Sequence, residues 1–227
     1  MNRFFVAPGM AAADRFPLPA SIAHQVRRVL RLGDGDRIVL LDGDGSEAEC
    51  RLEGDQCVVE ERRAAAAEPR HRLSICQALI KGDALEQVVQ HGTEIGVADF
   101  QLLVAARCVV RDLSDRRVER LRAIAREAAE QSERGMVPPV LPPVPLAEVL
   151  RPASVLLYER HDGVRLGELP PAGTLIIGPE GGFTPDEVTA AEGAGVTVAG
   201  LGRRILRSES VALAAAAVVL SRSGDFA

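Results

Sequence analysis

Two short segments near the C-terminal end carry the residues best suited to chemistry. They are Ile177-Gly178-Pro179-Glu180-Gly181-Gly182 and Leu201-Gly202-Arg203-Arg204-Ile205-Leu206-Arg207-Ser208. Each follows an apolar run that reads as a strand, over 174–177 and 196–201, and each places glycine or arginine at the exit. In an open α/β sheet, ligands bind in the crevice beyond the carboxyl ends of the strands. Two such exits suggest one small-molecule pocket, with arginines ready for an anionic partner. The glycines allow backbone to approach a ligand closely. The first segment is neither G-x-G-x-x-G nor a P-loop, because Pro179 removes an amide that a phosphate cradle needs. Glu180 also disfavours a phosphate, so a cationic or neutral ligand fits better. Glycine content alone leaves a ligand loop and an ordinary αβ turn both open. The arginine turn is open in the same way, between an anion site and a solvated basic turn. If it is helical, Arg203 and Arg207 share a face, and Ser208 or Ser210 can serve merely to cap the next helix.

A third basic segment, residues 24–31, reads as a short helix. Val26, Val29 and Leu30 are expected to face inward, and Arg27, Arg28 and Arg31 outward. A phosphate-backbone grip and a solvated helix face both fit that pattern. His71, His91 and His161 are isolated and read as structural or surface residues. Cys50, Cys57, Cys76 and Cys108 form no C-x-x-C pair and have no histidine cluster beside them, so no metal site is expected and a reduced thiol environment is.

The elements that must hold these segments follow from pattern and composition. The chain has 227 residues, 47% apolar, enough for a sizeable core. A net charge of −5 gives no overall attraction to nucleic acid, so any such binding must be local. Lys81 is the only lysine among 27 basic residues, and arginine, unlike lysine, offers planar bidentate contacts to phosphate. The first residues, Met1-Asn2-Arg3-Phe4-Phe5, lack the apolar core of a signal peptide. The longest apolar run, 211–220, is too short to span a bilayer. A cytoplasmic, soluble protein is expected.

Up to about residue 70 the chain reads as short strands with tight turns, at 37–41, 47–52 and 56–60, with Gly54-Asp55 as a hairpin turn. A small β-barrel is expected there, followed by a linker at 64–69. Beyond it, strands alternate with helices, which implies a parallel sheet with covered faces. Strands are expected at 73–80, 100–104, 155–158, 174–177 and 196–201. Asp83 with Glu86, and Thr184-Pro185 with Glu187, read as capping boxes. Residues 136–145 hold five prolines and must be extended. The last helix, about 209–222, is apolar almost all round and should be buried on most sides, in a core or a subunit interface.

With these residues in view the chain resembles the RsmE family, SPOUT-class ribosomal RNA methyltransferases acting on N3 of a uridine in 16S rRNA. The resemblance runs the whole length. It is carried by Arg3-Phe4-Phe5, residues 24–32, Gln77-Ala78-Leu79-Ile80-Lys81-Gly82, Thr93-Glu94-Ile95-Gly96, Glu127-Ala128-Ala129-Glu130-Gln131-Ser132 and, most specifically, the two segments above. It implies a PUA-like RNA-binding barrel over 1–68 and a SPOUT domain over 71–227, an α/β parallel sheet with a C-terminal trefoil knot. It implies S-adenosyl-L-methionine as cofactor, between three walls: Tyr158 and Glu159; Gly178, Pro179, Glu180, Gly181 and Gly182; Leu201, Gly202, Ile205 and Leu206. It also implies a homodimer acting on 16S rRNA in the small ribosomal subunit. On that basis Arg207 is expected to stabilise charge on a uracil carbonyl oxygen, and Glu180 to accept the N3 proton or orient the cofactor's amine. Arg3, Arg27, Arg28, Arg31 and Arg134 are the expected grips on RNA phosphates. Two other readings stand beside this one: a SPOUT enzyme for another rRNA or tRNA position, and a non-catalytic ribosome-assembly factor. The sequence departs from the family at His91, where lysine is common, and at Ser210, where threonine is usual.

Overall fold

The structure, a computed structural model, describes residues 1–159 and 163–226, so His161 lies outside the described residues. The chain folds into two compact units. One comprises Met1–Glu68 with Ala129–Val137, the other Pro69–Ala128 with Pro138–Ala227.

The first unit is built on strands β1 (Arg3–Phe5), β2 (Arg15–Pro17), β3 (Arg37–Leu41), β4 (Ser46–Glu53) and β5 (Gln56–Ala64). They pair in the order β1-β3-β4-β5-β2, with β1 parallel to β3 and the other pairs antiparallel. Side chains alternate across a strand, yet Ile38, Val39, Leu40 and Leu41 are all buried. Ile38 and Leu40 join Phe4, Phe16, Ile22 and Leu52 on one side. Val39 and Leu41 pack with Phe5, Ala129 and Val137 on the other. Burying each such side chain contributes about 1.5–3 kcal/mol. That second apolar face is why residues 129–137 cluster with this unit, rather than with the second, to which a linear division at 68–71 assigns them.

The basic segment begins as α1 (Ala20–His24) and continues as a π-helical turn, Gln25–Val29, in which the Leu30 N–H reaches back to Gln25 O. The wider turn corrects the helical pattern. Val26 is buried as expected, but Val29 is rotated out and 63% exposed. Arg31 closes the turn with φ +56, left-handed backbone that residues other than glycine seldom adopt.

The second unit contains β6 (Ser74–Ala78), α2 (Ala84–Glu94), β7 (Asp99–Val104), α3 (Asp115–Gln131, up to Ala128), β8 (Val140–Pro145), β9 (Ser154–Leu157), β10 (Thr174–Ile177), α4 (Pro185–Gly193), β11 (Thr197–Ala199) and α5 (Ser208–Ser223). The sheet order is β11-β9-β10-β6-β7-β8, all parallel. The proline-rich β8 is an edge strand, where missing amides cost no ladder bonds. The central strands are buried on both faces, as covered parallel sheets require.

The Thr184 capping box forms: Glu187 N–H donates to Thr184 Oγ1 (3.2 Å) and Thr184 N–H to Glu187 Oε2 (2.8 Å). The one expected at Asp83 does not. Its side chain makes no cap bond, and Glu86 pairs with Arg120 instead. Helix α5 buries Ala212, Ala215, Ala216, Val219 and Leu220 and leaves its other apolar residues half-buried. All four cysteines are free and buried, and burial pushes the thiols of Cys50 and Cys76 up to about 12, which keeps them unreactive.

Candidate active site

Strands β6, β9, β10 and β11 end side by side, and the segments leaving their carboxyl ends enclose a cavity of about 650 Å³ within the second unit. That is the size and place expected of a small-molecule site in a parallel sheet. Its walls come from Lys81 and Ala84 after β6, Glu159 after β9, 177–183 after β10 and 201–211 after β11.

The loop after β10 is shaped by close contacts. A side chain at Gly178 would meet the buried Phe183 ring at 3.1 Å. At Gly182, φ is +66 and a Cβ would come within 2.8 Å of Glu159 Oε1. The loop turns tightly, with Gly182 N–H donating to Pro179 O at 2.9 Å. Three further contacts hold it. Arg107 Nη1 donates to Gly181 O (2.9 Å) and Phe183 O (3.2 Å). Glu180 Oε1 accepts from the Lys81 backbone N–H at 2.8 Å. Gln77, fully buried on β6, donates through Nε2 to Ser208 Oγ (2.9 Å), which donates to Gly178 O (2.6 Å). That relay ties β6, the β10 exit and the first turn of α5 together.

The segment after β11 is not helical, so Arg203 and Arg207 do not share a helix face. It runs open and exposed from Gly202 (φ +139), with Ile205 83% exposed, and turns Arg204 and Arg207 into the cavity wall. The α5 cap position is taken by Arg207 without a side-chain cap bond. Ser208 points inward to Gly178 O rather than capping.

Of the residues expected to hold a ligand, Glu159, Gly178, Pro179, Glu180, Gly181, Gly182, Leu201, Gly202, Ile205 and Leu206 all line the cavity, as does Arg207. Tyr158 is not among the lining residues; its backbone N–H extends the sheet by donating to Ala199 O (3.0 Å). Sequence reasoning missed Lys81, Ser208 and Glu209 as lining residues. For Lys81 the signal was present, since it sits at the end of a strand running toward the same edge. The cavity thus presents three carboxylates (Glu159, Glu180, Glu209) and three cations (Lys81, Arg204, Arg207) on apolar walls. The acids suit a cationic ligand, and the cations suit an anion or a developing negative charge.

The five expected RNA contacts divide by burial. Arg28 and Arg31 are exposed and make no ion pair or hydrogen bond among the described residues. Arg27 is half-buried and donates to the carbonyls of Leu32 (2.9 Å) and Gly54. Arg3 pairs with Glu47 and Glu133 with its side chain 11% exposed. Arg134, 3% exposed, pairs with Glu68 at 2.9 Å. A guanidinium so enclosed has no free face for a phosphate, which corrects the expectation for Arg3 and Arg134.

Comparison with known proteins extends these observations. A family profile described as an RNA methyltransferase domain matches residues 67–220, and one described as an RNA methyltransferase PUA domain matches residues 20–61. The chain is 34% identical to the ribosomal RNA small subunit methyltransferase E of Bacillus subtilis, covering 96% of each chain. Among solved structures it is similar to ribosomal RNA small subunit methyltransferase E of Neisseria gonorrhoeae bound to S-adenosyl methionine. There the TM-score is 0.88 at 29% identity, over 97% of each chain. It is also similar to a Legionella pneumophila protein solved in complex with the bound cofactor SAM, with a TM-score of 0.81 at 26% identity over 97% of each chain.

Proposed function

The chain belongs to the ribosomal RNA small subunit methyltransferase E family, and from that premise we propose that it transfers a methyl group from S-adenosyl-L-methionine to N3 of a uridine in 16S rRNA of the small subunit. The observation that carries this reading is the glycine-walled cavity at the strand exits. Its residues fit the cofactor: apolar Ile177, Leu201 and Leu206 suit an adenine, and Glu159 and Glu180 suit an ammonium and a sulfonium. The loops at 178–182 and 201–206 offer backbone that glycine keeps close. When bound, the cofactor supplies an electrophilic methyl group on a positively charged sulfur.

The protein's own part is mainly positioning. Glu180, held through Oε1 by the Lys81 amide, keeps Oε2 for the cofactor's amine. Arg207 places a cation where a uracil carbonyl oxygen gains charge as N3 loses its proton. Arg28 and Arg31, with Arg27 bracing the turn, grip RNA phosphates from the first unit. Residues 1–68 serve as the PUA-like RNA-binding part and 71–227 as the SPOUT domain, with the trefoil knot of that class. The half-buried apolar residues of α5, Leu213, Ala214 and Val218 among them, support a homodimer. The cytoplasm, where ribosomal subunits are assembled, is the place of action this reading implies; no helix among the described residues is long and apolar enough to cross a membrane.

The test is methylation of small subunits purified from a strain lacking this protein, with the product base identified by mass. A 3-methyluridine at one position is the expected result. No methylated base, or a different methylated atom, overturns the reading.

A further inference from the structure

The described cavity holds one residue whose identity is unusual for this chain. Of 27 basic residues only Lys81 is lysine, and it lies in the cavity wall with just two other cations, Arg204 and Arg207. Elsewhere arginine fills every basic position, so the exception points to a place where a compact, flexible ammonium serves and a planar fork does not. The surroundings fit that need. Lys81 leaves the carboxyl end of the central strand β6, and Glu180 fixes its backbone N–H at 2.8 Å. Gly82 (φ +64) turns the chain away immediately after it. The side chain is exposed, and its ammonium has no ion pair or hydrogen bond among the described residues. A cation with a pinned root and an unengaged head, in the wall of a reaction cavity, is placed to meet a substrate.

The chemistry of the proposed reaction has room for it. N3 of uracil lies between two carbonyl groups. When the N3 proton passes to water, the negative charge spreads over both carbonyl oxygens. The N3 lone pair then forms the N–CH₃ bond while the S–CH₃ pair returns to sulfur, leaving a neutral thioether and a neutral methylated base. One cation can serve only one of the two oxygens well. We infer that Lys81 is a catalytic residue whose ammonium donates a hydrogen bond to one carbonyl oxygen of the target pyrimidine while Arg207 serves the other. This rests on the function proposed above. Together the two cations favour the ionised base and so set the pH at which methyl transfer becomes fast.

The test compares Lys81→Met and Lys81→Arg with wild type. It measures single-turnover methylation of small subunits from pH 6 to 9, cofactor affinity by calorimetry, and the salt dependence of RNA binding. Lys81→Met should bind cofactor as wild type does yet transfer methyl about 100-fold more slowly near neutrality. That deficit should shrink as pH rises, because the uncompensated base ionises at higher pH. Lys81→Arg keeps the charge in the wrong shape, so its rate should fall while its pH dependence stays that of wild type.

Rates for Lys81→Met within threefold of wild type overturn the role. So does a loss that is independent of pH and accompanied by weaker cofactor binding, which marks a structural part. A reduced salt slope without a pH shift also overturns it, by making Lys81 a phosphate contact. Wild type that fails to methylate small subunits at all removes the proposed function itself. Active wild type matched by Lys81→Met removes only this inference.

Discussion

Cations are used in opposite ways in the sheet of the first unit and in the cavity of the second. In that sheet arginines face carboxylates: Arg3 and Arg63 converge on Glu47, and Arg37 and Arg51 on Glu60. Arg134, outside the strands, meets Glu68 in the same way. In the cavity, Lys81, Arg204 and Arg207 stand on loops and make no ion pair among the described residues. The same kind of side chain braces one region and stands unpaired in the other. Neither arginine content nor net charge separates the two uses; a carboxylate held within reach does.

The sharpest way to break this contrast is Arg207→Ala. Loss of a cation that meets developing charge should cut single-turnover methyl transfer by about 1000-fold, with cofactor affinity by calorimetry nearly unchanged. Turnover equal to wild type would put Arg207 with the bracing arginines.

Next in size is Glu47→Ala in the first unit. It removes the buried carboxylate shared by Arg3 and Arg63, leaves Arg3 only the exposed Glu133 among the described residues, and should lower the unfolding free energy by about 3 kcal/mol in urea titrations. A pH effect accompanies it. Burial opposes the charged form of Glu47, but hydrogen bonds from Arg3 and Arg63 outweigh it and hold the carboxyl below its ordinary range. A depressed carboxylate contributes stability that is present above its unfolded value, near 4.3, and fades as pH falls through the native one. Acid titration of wild type and Glu47→Gln, followed by circular dichroism, should show that dependence only in wild type.

Gly182→Ala comes third. Left-handed backbone with a side chain costs about 1–2 kcal/mol, and the methyl group would press on Glu159. Cofactor binding by calorimetry should weaken by about tenfold.

The smallest effects belong to Arg28→Ala and Arg31→Ala. Each should weaken RNA binding only a few-fold and lower the salt slope by about 1. Arg3→Ala should leave that slope unchanged, and a slope that falls would erase the difference between paired and displayed arginines.

What sequence could and could not foretell follows the range of the forces involved. The Thr184 box and the central strands were legible because their signals are local: a cap, a proline, an unbroken apolar run. The glycine loop was legible as a strand exit, and the family resemblance joined it to the arginine segment. The outward turn of Val29 was hidden, since a π-helical turn keeps the composition of an α-helix and shifts only the register. Arg3 and Arg134 resembled any other arginine because their carboxylate partners lie 44 and 66 positions away. Ser208 looked like a cap, and only the approach of Gln77 and Gly178 O turned it inward. Asp83 showed the reverse: its local signal was sound, and a tertiary pairing of Glu86 with Arg120 overrode it.

The double-sided burial of β3 has a consequence for how the molecule is made. Phe5, Val39 and Leu41 leave the ribosome long before Ala129 and Val137, which cover them. Through the synthesis of some sixty intervening residues, more than a quarter of the chain, the N-terminal unit carries an open apolar face. It is the earliest part synthesised, yet it is finished only once residue 137 has emerged. A fragment ending at residue 68 would keep that face bare for good, and such a face invites aggregation.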